Sequence, residues 1–138
     1  MIRHTYESVV STSPEHLFRA IADIASWPAW DHELESVEPP SAVVAGTGFA
    51  LTPKGGPRVR MTIESVEANR RFVDVSHLPL AKMRTSHEFT PEAGGTRVRL
   101  TIEVSGPLAF LWDRIVARKQ AAGAQAQTAA FARYAEGS

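Results

Sequence analysis

The chain of 138 residues contains no cysteine. That removes disulfides, thiolate metal centres, iron–sulfur clusters and cysteine nucleophiles together, and it suits a reducing, cytoplasmic setting. Charge of either sign is not in excess, since 15 Lys and Arg balance 15 Asp and Glu. A nucleic-acid groove or a patch for anionic membranes would need a basic surplus, so neither partner is expected. No apolar run approaches the ~18 residues of a membrane span. The opening residues Met1-Ile2-Arg3-His4 do not begin an apolar leader, so no secretory signal is expected. Five histidines are present, but no two stand at i, i+2 or i, i+4, and the zinc pattern His-Glu-x-x-His does not occur. Gly46-Thr47-Gly48 and Gly55-Gly56 do not join a strand to a helix, so no phosphate loop is supported. Neither metal nor cofactor is expected.

What is present is ordinary in bulk: 43% hydrophobic and 22% charged residues. That composition fits one globular domain over residues 1–138, large enough to hold a core without staples. Its organisation is more telling. Ile2 to Val10 alternates like a strand. Ser13 then precedes Pro14 and Glu15, a helix start in which serine caps, proline needs no N–H and the carboxylate meets the positive helix end. Leu17, Phe18, Ile21, Ile24 and Ala25 follow at helical spacing. Pro28 ends or restarts this helix, with Ser26 as the expected cap of a second turn.

From Leu34 the period changes to two. Weak strands are predicted at Leu34–Val37 and Gly48–Thr52, then stronger ones at Arg58–Val66, Phe72–Leu78, Lys82–Thr90 and Arg97–Val104. Turns at 54–57, 68–70 and 92–95 separate several of them. Val59, Met61 and Ile63 fall on one side, with Arg58, Arg60, Thr62 and Glu64 on the other. Val98, Leu100, Ile102 and Val104 alternate in the same way with Arg97, Arg99, Thr101 and Glu103. Short turns between such strands imply antiparallel hairpins with one solvated face. After Pro107 the period becomes helical again. Leu108, Leu111, Trp112, Ile115, Ala122, Ala126, Ala129 and Ala130 fall on one predicted face. Its front half is bulky and its rear half almost all alanine.

Several motifs in this order resemble the START-like superfamily, whose members include polyketide cyclase/dehydrase-like proteins. They are Ser13-Pro14-Glu15, Ala22-Asp23, Trp27-Pro28-Ala29-Trp30-Asp31, Glu64-Ser65-Val66-Glu67 and Gly94-Gly95-Thr96-Arg97-Val98. The resemblance covers essentially the whole chain. It implies an α+β helix-grip fold: a curved seven-stranded antiparallel sheet around a long C-terminal helix, with two short helices after the first strand. It also implies a ligand cavity between sheet and helix.

The expected activity is binding of a small hydrophobic molecule, polyketide-, aromatic- or lipid-like, by a monomer or homodimer. Trp30, Val59, Met61, Ile63, Met83, Thr85, His87, Leu100, Leu108, Leu111, Trp112 and Ile115 are the expected lining, together with Val98. Thr85, His87 and Tyr6 would orient a polar group. Two alternatives stay open. One is a cofactor-independent cyclase, aromatase or dehydratase, with His87 as proton shuttle. The other is a protein-interaction module. Each candidate also has a structural reading. Trp27 and Trp30 equally suit the stapling of the short helices to the sheet. Asp31-His32-Glu33 reads as a solvated helix end rather than a base pair. The inward face of Phe72–Leu78 is ambiguous: either Val73, Val75 and His77, or Phe72, Asp74 and Ser76. Lys119 snorkels or reaches the ligand from the helix side.

Overall fold

The computed structural model describes residues 1–137. Strand β1 (Ile2–Val10) leads into α1 (Pro14–Ala22). Ser13 keeps an extended backbone and its Oγ accepts from the His16 N–H at 3.2 Å, as a cap must. A 3-10 turn (Ile24–Ser26) and the single-turn α2 (Trp27–Trp30) follow. Ser26 does not cap α2. Its own backbone is already helical, and its Oγ instead donates to the Asp23 carbonyl at 2.7 Å.

Six strands come next: β2 (Leu34–Glu38), β3 (Gly48–Pro53), β4 (Val59–Glu67), β5 (Arg71–Leu78), β6 (Ala81–Glu92) and β7 (Gly95–Ser105). With β1 they form one seven-stranded antiparallel sheet in the order β1-β7-β6-β5-β4-β3-β2. This is the expected α+β helix-grip arrangement. Two glycines allow its tight corners. A Cβ on Gly95, at φ +153°, would lie 1.9 Å from the Val10 carbonyl oxygen. One on Gly106, at φ +107°, would lie 2.8 Å from that of Leu80. Only glycine lets these backbones approach so closely.

The C-terminal helical segment differs from the single regular helix expected. It comprises α3 (Ala109–Trp112), a π-helical turn (Asp113–Ala117), α4 (Arg118–Ala122), a break at Gly123 and α5 (Ala124–Glu136). A π turn holds one residue more than an α turn, so it rotates the inward stripe by roughly 100°. The buried positions are therefore Ala109, Asp113, Ala117, Ala124, Thr128, Phe131, Ala132 and Ala135. Leu111 and Ile115, expected on that stripe, are 36% and 44% exposed, and Ala122, Ala126 and Ala129 face solvent.

The outer sheet face carries the arginines. Arg84 bridges Glu64 at 2.6 Å and Glu103 at 2.9 Å, Arg97 meets Glu92 at 2.9 Å, and Arg58 meets Glu38 at 2.6 Å. The inner face divides into two apolar clusters. One is aromatic and lies beneath α1, α2 and the end of α5, with Trp27, Trp30, Phe49, Phe72, Phe89 and Phe131 as its bulk. The other is aliphatic and alanine-rich, built on Met83, Leu100, Ile102, Val104, Ala109, Ala117 and Ala124.

Candidate functional site

The sheet register defines what lies between the two clusters. Three rows of cross-strand neighbours traverse the inner face. They are Met61–Ser76–Met83–Val104, Ile63–Asp74–Thr85–Ile102, and Phe72–His87–Leu100–Tyr6. Each row starts in the aromatic cluster and reaches the aliphatic one by crossing a polar side chain. Ser76, Asp74, Thr85 and His87 thus form a polar seam, with directly opposed side chains roughly 5 Å apart at Cβ. The covering helix repeats the pattern. Along its buried stripe, Thr128 stands between Ala124 of the aliphatic cluster and Phe131 of the aromatic one.

No seam side chain is consumed by the fold. Asp74 and Ser76 are only 4% and 5% exposed, yet neither forms a side-chain hydrogen bond or ion pair with another described residue. The same holds for the hydroxyls of Tyr6, Thr85 and Thr128. His87 Nδ1 is buried without a hydrogen-bond partner, and so is Trp30 Nε1. Buried polar groups are ordinarily bonded, so such a concentration of free ones needs an explanation. Thr85 and His87 are also half-buried although they point inward between nearly sealed residues such as Met83 and Phe89.

Burial sets the electrostatics of the seam. It pushes the Asp74 carboxyl up to about 7, with no neighbouring cation to oppose the rise. It pulls His87 down to about 4. The Phe72 backbone carbonyl favours the protonated ring somewhat, but no well-formed hydrogen bond reaches Nδ1. The imidazole is therefore neutral at neutral pH, and the group poised near neutrality is Asp74. The ambiguity over β5 is resolved by the two-residue turn Pro79-Leu80. It pairs Leu78 with Ala81 and hence Asp74 with Thr85. Val75 and His77 turn to the outer face, where His77 Nε2 lies 2.7 Å from the Thr62 hydroxyl.

The other candidates lie around this seam. Met61, Ile63, Met83 and Leu100 are buried beside it, and Val59 is half-buried on β4. Trp30 lies within the aromatic cluster, its ring centroid 4.7 Å from that of Phe131. Trp27 donates from Nε1 to the Ile21 carbonyl at 2.9 Å, and its ring packs edge-on against Phe49 and Phe72 of the sheet at 5.6 and 5.9 Å, the stapling arrangement. At the other end, Trp112 Nε1 donates to the Pro79 carbonyl at 2.8 Å, and the Leu108 N–H donates to that of Leu80 at 3.1 Å. Leu111 and Ile115 stand at this rim, largely in solvent, beside Phe110 and Leu80, which are 65% and 66% exposed. Lys119 points outward. His32 and Glu33 are exposed, whereas Asp31 is half-buried and its carboxyl is raised mainly by burial.

A separate ionic cluster fastens the helical segment. His4 Nε2 and Asp113 Oδ1 are 2.6 Å apart, and Arg118 reaches Asp113 Oδ2 at 3.3 Å. The bond with His4 holds the Asp113 carboxyl below the usual range. Two open surface depressions are also present. One, of about 380 Å³, is lined by Glu38, Arg58, Arg60, Thr62 and His77 on the outer face. The other, of about 570 Å³, lies beside α1. In the first, Arg58 is paired with Glu38 and Thr62 with His77. No three potential metal ligands cluster among the described residues, and no helix there is long and apolar enough to cross a membrane.

Fold and sequence together assign the chain to a family. It belongs to the family described as polyketide cyclase / dehydrase and lipid transport, whose model matches residues 1–136. Solved structures share its fold across nearly its full length. Protein MLL2253 from Mesorhizobium loti superposes with a TM-score of 0.76 at 17% identity, covering 96% of this chain and 95% of that one. Ara h 8.0201 gives 0.74 at 17% identity and 99% coverage of both chains. The di-domain ARO/CYC StfQ from the steffimycin biosynthetic pathway gives 0.77 at 13% identity, covering 98% of this chain and 50% of that one. No curated protein matches the sequence.

Proposed function

We propose that the protein binds a small hydrophobic molecule between the inner sheet face and the C-terminal helical segment. The polar seam carries this reading. Asp74, Ser76, Thr85, His87 and Thr128 are directed into the interior and unused by the fold, between two apolar clusters that offer area for burial. A ligand there would gain affinity from apolar contact with Met61, Ile63, Met83 and Leu100, and orientation from the seam. Val59, Leu108 and Trp112 would complete the walls, with Leu111 and Ile115 at the mouth. Trp30 would close the aromatic end and Tyr6 the β1 side. The family description and the fold agree with an interior of this kind.

The test is mass spectrometry of protein purified from its native host without denaturation, followed by solvent extraction. A stoichiometric apolar molecule is the expected result. Empty protein that also fails to take up apolar aromatic probes would overturn the proposal.

One observation favours a second reading, catalysis on the same ligand. A buried carboxyl held at about 7 can both give and take a proton near neutral pH. The neutral His87 would then act as an acceptor or orienting group. The di-domain ARO/CYC StfQ has the same fold. In this reading Asp74→Asn lowers turnover of a cyclising or dehydrating substrate by roughly 10²-fold or more with KM little changed. A variant that retains turnover leaves binding alone.

A further inference from the structure

The seam also specifies which polar group the ligand should bear, and this inference rests on the binding site proposed above. Its inward polar groups centre on the Asp74 carboxyl, whose two oxygens accept when it is ionised, flanked by the Ser76, Thr85 and Thr128 hydroxyls, which accept as well as donate. A neutral imidazole adds one acceptor nitrogen and one donor. No cation answers them. Every lysine and arginine is exposed or half-buried, and those nearest the inner elements are engaged elsewhere. Arg84 is held by Glu64 and Glu103 on the outer face, and Arg118 by Asp113. His4 is likewise committed to Asp113. Asp74 is thus a carboxyl more than nine-tenths buried, with neither counter-ion nor hydrogen bond.

We infer that the interior site selects apolar molecules carrying a primary amine, whose ammonium group would pair with Asp74 and donate to Thr85 and Ser76. An ammonium offers three donors, a hydroxyl one and a carboxylate none. It also supplies the counter-charge that an isolated buried carboxylate lacks. A carboxylate ligand would instead lie beside Asp74 with no cation to separate them. The seam therefore ranks amine above alcohol above carboxylate on one apolar skeleton. Burial of Asp74 works in the same direction, because pairing with an ammonium would reverse the cost of ionising it.

Three probes that differ only in this group test the ranking: naphthylmethylamine, naphthylmethanol and naphthoate. Binding is measured by calorimetry near pH 8, where the aliphatic amine is protonated. The amine should bind at least about tenfold more tightly than the alcohol, as expected for one hydrogen bond between charged partners, with naphthoate weakest. In Asp74→Asn the amine should lose its advantage over the alcohol. Equal or tighter binding of naphthoate in the native protein would overturn the inference, and needs no variant. So would an amine preference that survives in Asp74→Asn. Should that variant fail to fold, Thr85→Val should narrow the gap between amine and alcohol, and an unchanged gap would count against the assignment. Binding of all three probes without the ranking would sink the amine inference and leave the hydrophobic site standing. Binding of none would sink both.

Discussion

The aromatic cluster and the polar seam lie side by side on one sheet face, yet they use their polar atoms in opposite ways. Around the aromatic cluster, polar groups hold the fold. Trp27 Nε1 bonds the Ile21 carbonyl, the Thr12 hydroxyl bonds the Ala132 carbonyl at 3.1 Å, and the Thr96 hydroxyl bonds the Thr12 carbonyl at 2.7 Å. These bonds tie β1, α1, β7 and α5 together. Across the seam, comparable side chains make no well-formed hydrogen bond within the protein. Evolution tolerates unsatisfied buried polar groups where another partner uses them, since each costs about 1–3 kcal/mol when left alone. The contrast separates residues that build the fold from residues left free to serve a ligand. Trp30 belongs to both, its ring packed in the cluster and its Nε1 unpartnered.

Mutagenesis can break this comparison most forcefully at Phe131. Its ring links Trp30 and Phe89, so Phe131→Ala should cost about 3–5 kcal/mol in urea unfolding. Thr85→Val should cost less than about 1 kcal/mol, because its hydroxyl makes no bond in the fold. Similar costs for the two would show that the seam is structural.

Next in size are two opposed pH effects. The Asp74 carboxyl is raised from 3.8 to about 7. The native state therefore holds a proton that the unfolded state releases, and stability falls as pH climbs from about 4 to 7, by roughly 4 kcal/mol. His87 is lowered from 6.5 to about 4. Here the unfolded state holds the proton, and stability falls as pH drops from 6.5 to about 4, by roughly 3 kcal/mol. The two slopes nearly cancel in the native protein. Asp74→Asn should expose the histidine slope, so that stability rises with pH across that window. His87→Gln should expose the carboxyl slope, which falls. Two flat profiles would show that neither group is as enclosed as the seam requires.

The smallest expected effect lies at the rim. Leu80 occupies the third position of the Pro79-Leu80 hairpin turn at φ +55°, a conformation that glycine takes without strain. Leu80→Gly should stabilise the protein by up to about 1 kcal/mol. Slower uptake of the naphthyl probes in that variant would assign the exposed leucine to the mouth of the site. A loss of stability would show that Leu80 is held by packing instead.

Much of the architecture was legible because it rests on local rules. Period-two alternation located β4 and β7 to within a residue or two, and the Ser13-Pro14-Glu15 start located α1. The C-terminal segment misled where alanine blurs the hydrophobic stripe. With Ala at so many positions, no local signal marks the π turn at Asp113–Ala117 or the rotation it imposes. Hence Leu111 and Ile115 read as inward and stand at the rim, while Thr128 and Phe131 were not anticipated. Thr85, His87 and their apolar neighbours on β6 and β7 were readable because their strands alternate cleanly. Asp74 and Ser76 were not, because β5 carries apolar and polar residues on both faces.

By itself, then, the sequence determined the order of elements, the solvated face of arginines and the family, since each depends on short-range periodicity or on a few turn and cap residues. Tertiary structure alone decided that Asp74 faces inward, that its carboxyl has no cation nearby and that His87 is held neutral. Those properties arise from strand register and from the exclusion of water by a helix more than thirty residues distant in the chain.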